Sequence, residues 1–288
     1  MIKLLRFVYN LVPFKRHFFE FLKKVYSPPQ RLYQHLYFDD YFKVKVSNES
    51  SFLHYHFGSN VENDLFWRGL DESWEPQSMK IWGLLSERAE VVLDIGANTG
   101  LFSLMTKARN PQAKVYSFEP LERMYLKMTK NIELNKFDIR PLKCAVSNIN
   151  GLTKIYDLPE HENMKQASLN ADFLRNHDVV VAVDVEVLSI QSFADREKLM
   201  RIDLVKIDVE SHEAEVLEGF GDLIEKFKPI FFIEVIDRKT SANVEAILRK
   251  NEYHFFYLID ETNGLIKANQ LTPKPSRNYL CSYVPISV

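Results

Sequence analysis

Cysteine is scarce in this chain of 288 residues: there are two, Cys144 and Cys281. Two cysteines make no disulfide framework, and both lie in apolar runs that read as strands, so buried thiols in a reducing compartment are expected. A run of about 18 apolar residues is also missing, which excludes a helix long enough to span a membrane. The apolar start is broken by Arg6, Asn10, Pro13 and Lys15, and no small-residue cleavage site follows, so no secretory signal is read there. Charge of one sign is lacking too. A net charge of −2 gives no case for a nucleic-acid partner. No internal repeat is evident. These absences favour a cytoplasmic protein.

What is present is apolar residue in quantity, 46% of the chain, enough for a large core. The charge is unevenly placed. Residues 1–31 carry seven Lys/Arg against one acid, Glu20, a net +6 that leaves −8 on the remainder. Residues 1–26 are basic and aromatic and read as one or two amphipathic helices bent at Pro13. Such a segment suits contact with a membrane surface, here the inner face, or dimerisation; the plainer alternative is a helix capping the main domain.

Residues 1–75 are therefore expected to form a helical extension with short strands at 41–46 and 52–57. A main domain is expected over 76–288. Its strands are read at 91–95, 114–118, 139–146, 203–208, 229–235, 253–259 and 279–284. Helices are read at 76–86, 101–108, 121–135, 212–227 and 241–250. Strands separated by helices imply an α/β fold, a doubly wound seven-stranded mostly parallel sheet. Between about 148 and 200 the alternation breaks, and an insertion near the active-site edge is expected.

Asp94-Ile95-Gly96-Ala97-Asn98-Thr99-Gly100 follows a buried strand and opens a helix. Ligands of open α/β sheets lie at the carboxyl ends of strands. Gly96 and Gly100 permit a tight turn without a Cβ in the way. Glu119, at the end of the next strand, can accept hydrogen bonds from both hydroxyls of a ribose. The dinucleotide fingerprint is Gly-x-Gly-x-x-Gly; here the spacing is Gly-x-x-x-Gly, led by an acid. An acid suits the ammonium group of S-adenosylmethionine better than a pyrophosphate. The alternative is that Asp94 is structural and caps the turn.

Val92 to Gly100, Phe118-Glu119-Pro120 and Leu204 to Glu210 together resemble the FkbM family of class I S-adenosylmethionine-dependent methyltransferases. The resemblance covers about 80–285 and is weak in the insertion. It implies methyl transfer to oxygen, often a hydroxyl of a sugar or polyketide-type product. It implies that Asp94, Gly96, Asn98 and Glu119 line the cofactor and that Ala145, Val146 and Ser147 lie beside the adenine. The family usually has Gly where this chain has Ser211, and Ser189-Ile190-Gln191 stands where an acid is often found.

Lys206, Asp208 and Glu210 have strand spacing and share one side while the strand lasts. A buried Lys206 needs a partner, and Asp208 is the obvious one. A structural ion pair accounts for these two. The functional reading places Lys206, Asp208, Glu210 and His212 around an acceptor hydroxyl, with a carboxylate or the imidazole removing its proton. No metal is the first expectation; the alternative is a divalent ion held by Asp208, Glu210 and Glu234.

Trp67, Trp74, Trp82, Tyr55 and His56 either stack on an acceptor or, the favoured reading, fill the interface between extension and sheet. Glu75 could approach the cofactor or acceptor, and His161 and His177 could close over it. The expected protein is an S-adenosylmethionine-dependent O-methyltransferase acting on a sugar, glycan or glycolipid. The rivals are a nicotinamide-dependent oxidoreductase and a non-catalytic nucleotide-binding scaffold.

Overall fold

The computed structural model describes residues 13–157, 167–169 and 181–286. Helix α1 (Lys15–Val25) and the turn α2 (Gln30–Tyr33) precede a hairpin, β1 (Tyr41–Lys45) and β2 (Ser51–Tyr55). Helices α3 (Asn60–Arg68) and α4 (Pro76–Ser86) follow. A capping box starts α3: Ser59 Oγ accepts from the Glu62 N–H, and the Glu62 carboxylate accepts from the Ser59 N–H.

The expected alternation then appears as β3 (Val91–Ile95), α5 (Leu101–Arg109), β4 (Lys114–Phe118), α6 (Glu122–Asn135) and β5 (Ile139–Leu142). A second sheet is made from β6 (Ala145–Val146), β7 (Gly151–Asp157), β8 (Ala167–Ser168) and β9 (Val181–Leu188). After α7 (Ile190–Glu197) come β10 (Leu204–Ile207), α8 (Glu213–Glu218), α9 (Leu223–Phe227), β11 (Ile230–Glu234) and α10 (Arg238–Lys250). Strands β12 (Phe255–Asp260), β13 (Gly264–Ala268) and β14 (Asn278–Ser282) finish the main sheet.

The main sheet has the order β13-β12-β14-β11-β10-β3-β4-β5. Neighbours from β11 to β5 are parallel, and β14 runs antiparallel between β11 and β12. All seven expected strands are there. The eighth, β13, is a half-exposed edge strand without a clean apolar alternation, which is why its sequence does not announce it.

Two other expectations are corrected. The strand read at 139–146 divides: β5 joins the main sheet and β6 the second one. The helix read at 212–227 divides into α8 and α9 around Gly219 and Gly221. A Cβ on Gly219 would lie 2.1 Å from the Ser147 carbonyl oxygen, so the chain needs glycine to pass there. Helix α7 lies in the stretch where the alternation breaks and has no counterpart among the expected helices. His161, His177 and the first 12 residues lie outside the described residues. No described helix is long and apolar enough to cross a membrane.

Successive strand residues point to opposite faces, so both faces of the sheet are apolar. Val92 and Phe232 enter one core with Trp82 and Phe102; Leu93 and Phe231 enter the other with Phe118 and Phe220. The extension is continuous with the first core, through Phe19, Phe38, Phe42, Phe66 and Trp67. It is also tied by amides. Asn131 and Asn135, one turn apart on α6, accept from the N–H groups of Tyr55 and Leu53 at 2.8 and 2.7 Å, covering the edge of β2.

Trp67 packs within the extension, against Phe19, Tyr33 and Phe66, and Trp82 within the main domain; His56 and both cysteines are buried. The Trp82 indole is fully buried, meets Phe102 and Phe232 edge-on, and donates to the Phe102 carbonyl at 3.1 Å and Thr106 Oγ1 at 2.9 Å. Trp82→Ala should therefore cost about 3–5 kcal/mol in urea denaturation. A loss under about 1 kcal/mol would show that this cluster lies outside the cooperative core.

Candidate functional site

The chain leaves β3 toward β4 and β5, then returns to place β10 on the other side of β3. Ligands collect at the carboxyl ends of strands where such a reversal occurs. An open cleft of about 1110 Å³, including its solvent-facing part, lies there. Its wall includes Gly96, Ala97 and Asn98 after β3, Phe118 to Leu121 after β4, and Ala145 and Val146 of β6. Lys206, Asp208, Glu210 and Glu234 come from the ends of β10 and β11.

Gly96 has φ +80°, and a Cβ there would lie 1.9 Å from the Asp208 carbonyl oxygen. The loop after β3 thus touches the end of β10, and only glycine allows it. The loop is held from the other side by Glu119. Its carboxylate accepts from the Asn98 N–H at 2.8 Å and the Leu121 N–H at 3.1 Å. Burial pushes the Glu119 carboxyl up to about 7, although those N–H groups and Arg123 oppose the shift. Asn98 takes φ +54°, and its Oδ1 is buried with no partner among the described residues.

Asp94 and Gly100 do not line this wall. Asp94 is fully buried behind it, where Oδ2 accepts from the Ser103 N–H at 3.1 Å and Ser103 Oγ at 2.6 Å. It therefore satisfies one of the free amides in the first turn of α5, the turn where a dinucleotide fold seats its pyrophosphate. Gly100, at φ +83°, is the N-cap of that helix.

Lys206 is 4% exposed and donates to Asp208 Oδ2 at 2.7 Å. Burial alone would lower its pKa; the charges of Asp208, Asp94 and Glu234 reverse this and raise it. Glu210 and Glu234 are held up by burial first and by Asp208 second, to about 8 and about 10. One oxygen from each of Asp208, Glu210 and Glu234 lies within 4.8 Å of the others, a donor set an oxygen-loving divalent ion could use.

His212 is not in the cleft wall. Its Nε2 lies 2.9 Å from Ser147 Oγ, at the start of α8, and burial lowers its pKa. The structure thus brings Lys206, Asp208, Glu210 and Glu234 together and turns His212 away.

Three further residues matter. Trp74 lines the cleft from the extension. Glu75 binds Asn278 Nδ2 at 2.8 Å, and burial followed by the Asp208 charge raises it to about 7. Glu213 is fully buried and accepts from the N–H groups of Ser211 at 3.1 Å and Val209 at 3.4 Å. It thereby bridges the turn in which Glu210 and Ser211 take φ +55° and +72°, a costly conformation for residues with a Cβ. Ser211 Oγ also donates to Asp237 at 3.0 Å. Glu213 is the first residue of α8, and an acid in a first helical turn is its only sequence signal.

Burial raises the Glu213 carboxyl to about 8. An unfolded glutamate ionises near pH 4.3, so folding retains a proton between about pH 4.3 and 8 that the unfolded chain has lost. The stability from the buried neutral acid is full below that window and is lost as pH rises through it. The melting temperature should therefore fall between about pH 5 and 8, and Glu213→Gln should flatten the fall. An unchanged slope in the variant would show that Glu213 does not titrate there.

Comparison with known proteins assigns the family. Residues 94–255 match the family model for the methyltransferase FkbM domain. Methyltransferase sdnD of Sordaria araneosa is 34% identical over 156 residues, 46% of this chain and 60% of that protein. The 31-O-demethyl-FK506 methyltransferase FkbM of Streptomyces tacrolimicus is 26% identical over 156 residues, with the same two coverages of 46% and 60%. The hexuronic acid methyltransferase AglP of Haloferax volcanii is 22% identical over 159 residues, 55% of this chain and 62% of that protein. The chain spans about three fifths of the length of these curated relatives. With the family model covering more than half of its length, the chain belongs to the FkbM methyltransferase domain family.

Proposed function

We propose that the chain is an S-adenosylmethionine-dependent O-methyltransferase acting on a hydroxyl of a sugar, glycan or glycolipid. The observation that carries the reading is the charge of the cleft wall. Among the described residues it has four acids, Glu119, Asp208, Glu210 and Glu234, against one cation, Lys206, already paired with Asp208. The first turn of α5 is likewise occupied by Asp94. A pyrophosphate would meet acids where it needs donors, whereas a cationic cofactor meets carboxyl groups whose ionisation its own charge favours.

The residues fit such a cofactor. Glu119 has carboxylate lone pairs beyond those its two amide bonds use, suited to ribose hydroxyls. The buried Oδ1 of Asn98 offers an acceptor. Leu121, Met124, Ala145 and Val146 give an apolar wall for an adenine ring. When bound, S-adenosylmethionine supplies a methyl group on a positively charged sulfur. Asp208, Glu210 and Glu234 hold the acceptor end of the cleft, and Glu210 takes the hydroxyl proton onto its carboxylate. Trp74, which lines the cleft, supplies aromatic surface suited to a sugar ring. The Haloferax relative, a hexuronic acid methyltransferase by name, supports the sugar class.

A divalent ion is the second reading, favoured by the convergence of Asp208, Glu210 and Glu234. It predicts that chelation abolishes transfer and that magnesium restores it.

Isothermal titration should show S-adenosylmethionine or its demethylated product binding, with Glu119→Ala weakening it by about tenfold or more, the loss of a charged hydrogen-bonding group. Preference for a nicotinamide dinucleotide would overturn the reading. With a glycan acceptor and labelled methyl, kcat/KM should climb as pH rises through about 8, where Glu210 loses its proton. Glu210→Gln should remove that climb and most of the rate while leaving cofactor binding within about threefold of wild type. Full activity in the variant would place the base elsewhere.

A further inference from the structure

The outer face of α1 belongs to no core. Phe14, just before the helix, is 77% exposed, Phe18 60%, Phe21 63% and Val25 67%. At 3.6 residues per turn these four positions fall within an arc of about 60°, a single apolar stripe. The opposite face is anchored. Phe19 packs on Trp67 and Phe38 at centroid distances of 5.6 and 6.3 Å. Arg16 pairs with Glu20 at 2.9 Å and Asp40 at 3.3 Å, and Lys23 donates to the Phe66 carbonyl oxygen. The anchors at 16, 19 and 23 fix the rotation of the helix and leave the stripe facing solvent.

The charge around the stripe is one-sided. Residues 13–31 hold five cations, Lys15, Arg16, Lys23, Lys24 and Arg31, against one acid, Glu20. That acid is already bound by Arg16. Lys24, on the helix, and Arg31, shortly after it, are exposed. A second copy meeting this face would bring like charge against like charge. An anionic bilayer surface suits both features. Its acyl boundary takes the phenylalanine rings, and its headgroup layer takes the cations.

We propose that α1 lies on an anionic membrane surface, with Phe14, Phe18, Phe21 and Val25 inserted beneath the headgroups and Lys24 and Arg31 among them. This holds the domain at the bilayer without spanning it and does not depend on the reaction proposed above.

The test is co-sedimentation of the full chain with phosphatidylcholine vesicles, with and without phosphatidylglycerol, alongside light scattering. The wild type should bind the phosphatidylglycerol vesicles about tenfold or more tightly than the neutral ones, and high salt should weaken that binding. Phe18→Ser with Phe21→Ser should lower it by about tenfold or more. The melting temperature should hold, because both rings are exposed. Lys24→Glu should lower binding less. Absence of binding to the anionic vesicles would overturn the proposal, as would equal binding by the double variant. So would a wild-type dimer that the double variant converts to monomer without any vesicle binding.

Discussion

Lys206 stands in the middle of the sheet, 4% exposed, between Asp94 of β3 and Phe232 of β11. An ammonium group in such a place is sustained only by charge and hydrogen bonding around it. Asp208 makes the direct contact, and Asp94 and Glu234 add to the field. The face of Phe102, 4.6 Å from Nζ, adds the attraction of an aromatic quadrupole. The dependence runs both ways, because without the lysine these acids would face one another in a partly dry cleft. Asp94 carries the arrangement onward by holding the first turn of α5 through Ser103. The charge pattern of β10 and the entry angle of the helix after β3 are thus parts of one arrangement.

The extension reaches the same loop from outside. Asn131 of α6 accepts from the Tyr55 N–H and donates through Nδ2 to the Thr99 carbonyl at 2.9 Å. His54 of β2 approaches Thr99 Oγ1 at 3.4 Å. The turn over 96–100 is therefore clasped by Glu119 on one side and by the hairpin and α6 on the other. Such a loop keeps positive φ at Gly96, Asn98 and Gly100 because its surroundings over-determine it. A site built this way needs little reordering when a ligand enters, which favours tight binding.

Much of this was legible in the sequence because it rests on local signals. Buried strands announce themselves as apolar runs, the loop through its glycines, and Glu119 through its place at a strand end. The acid cluster was legible as three carboxylates at or just after strand ends, and Asp208, Glu210 and Glu234 do converge. What escaped depends on direction or on distant contact. Nothing in the sequence tells that Asp94 turns toward Ser103 and away from the cleft, or that His212 turns to Ser147. The capping alternative weighed for Asp94 describes its contacts. Trp74 lines the cleft just before α4, and α4 is held by a distant contact, where Glu261 accepts from the Gln77 N–H at 2.7 Å, across 184 positions of chain. Glu213 has no periodicity to betray it; its function is set by the turn it spans.

The acid excess in the cleft also divides the labour among chemically equal groups. Asp208, Glu210 and Glu234 cannot all be ionised so close together without a compensating cation. Lys206 compensates one, and its contact selects Asp208. Glu234, raised furthest and hydrogen-bonded to Asp208, keeps its proton at neutral pH and acts as a donor. Glu210 is raised to about 8, so its proton is the one exchanged near physiological pH. Burial and the neighbouring Asp208 thus raise Glu210 and Glu234 by different amounts, while Asp208 is the carboxyl in direct contact with Lys206. A reaction that must take one proton from a weakly acidic hydroxyl, beside a positively charged donor, uses that division. In the methyl transfer proposed above, Glu210 would receive that proton, and Lys206 would keep Asp208 from competing for it.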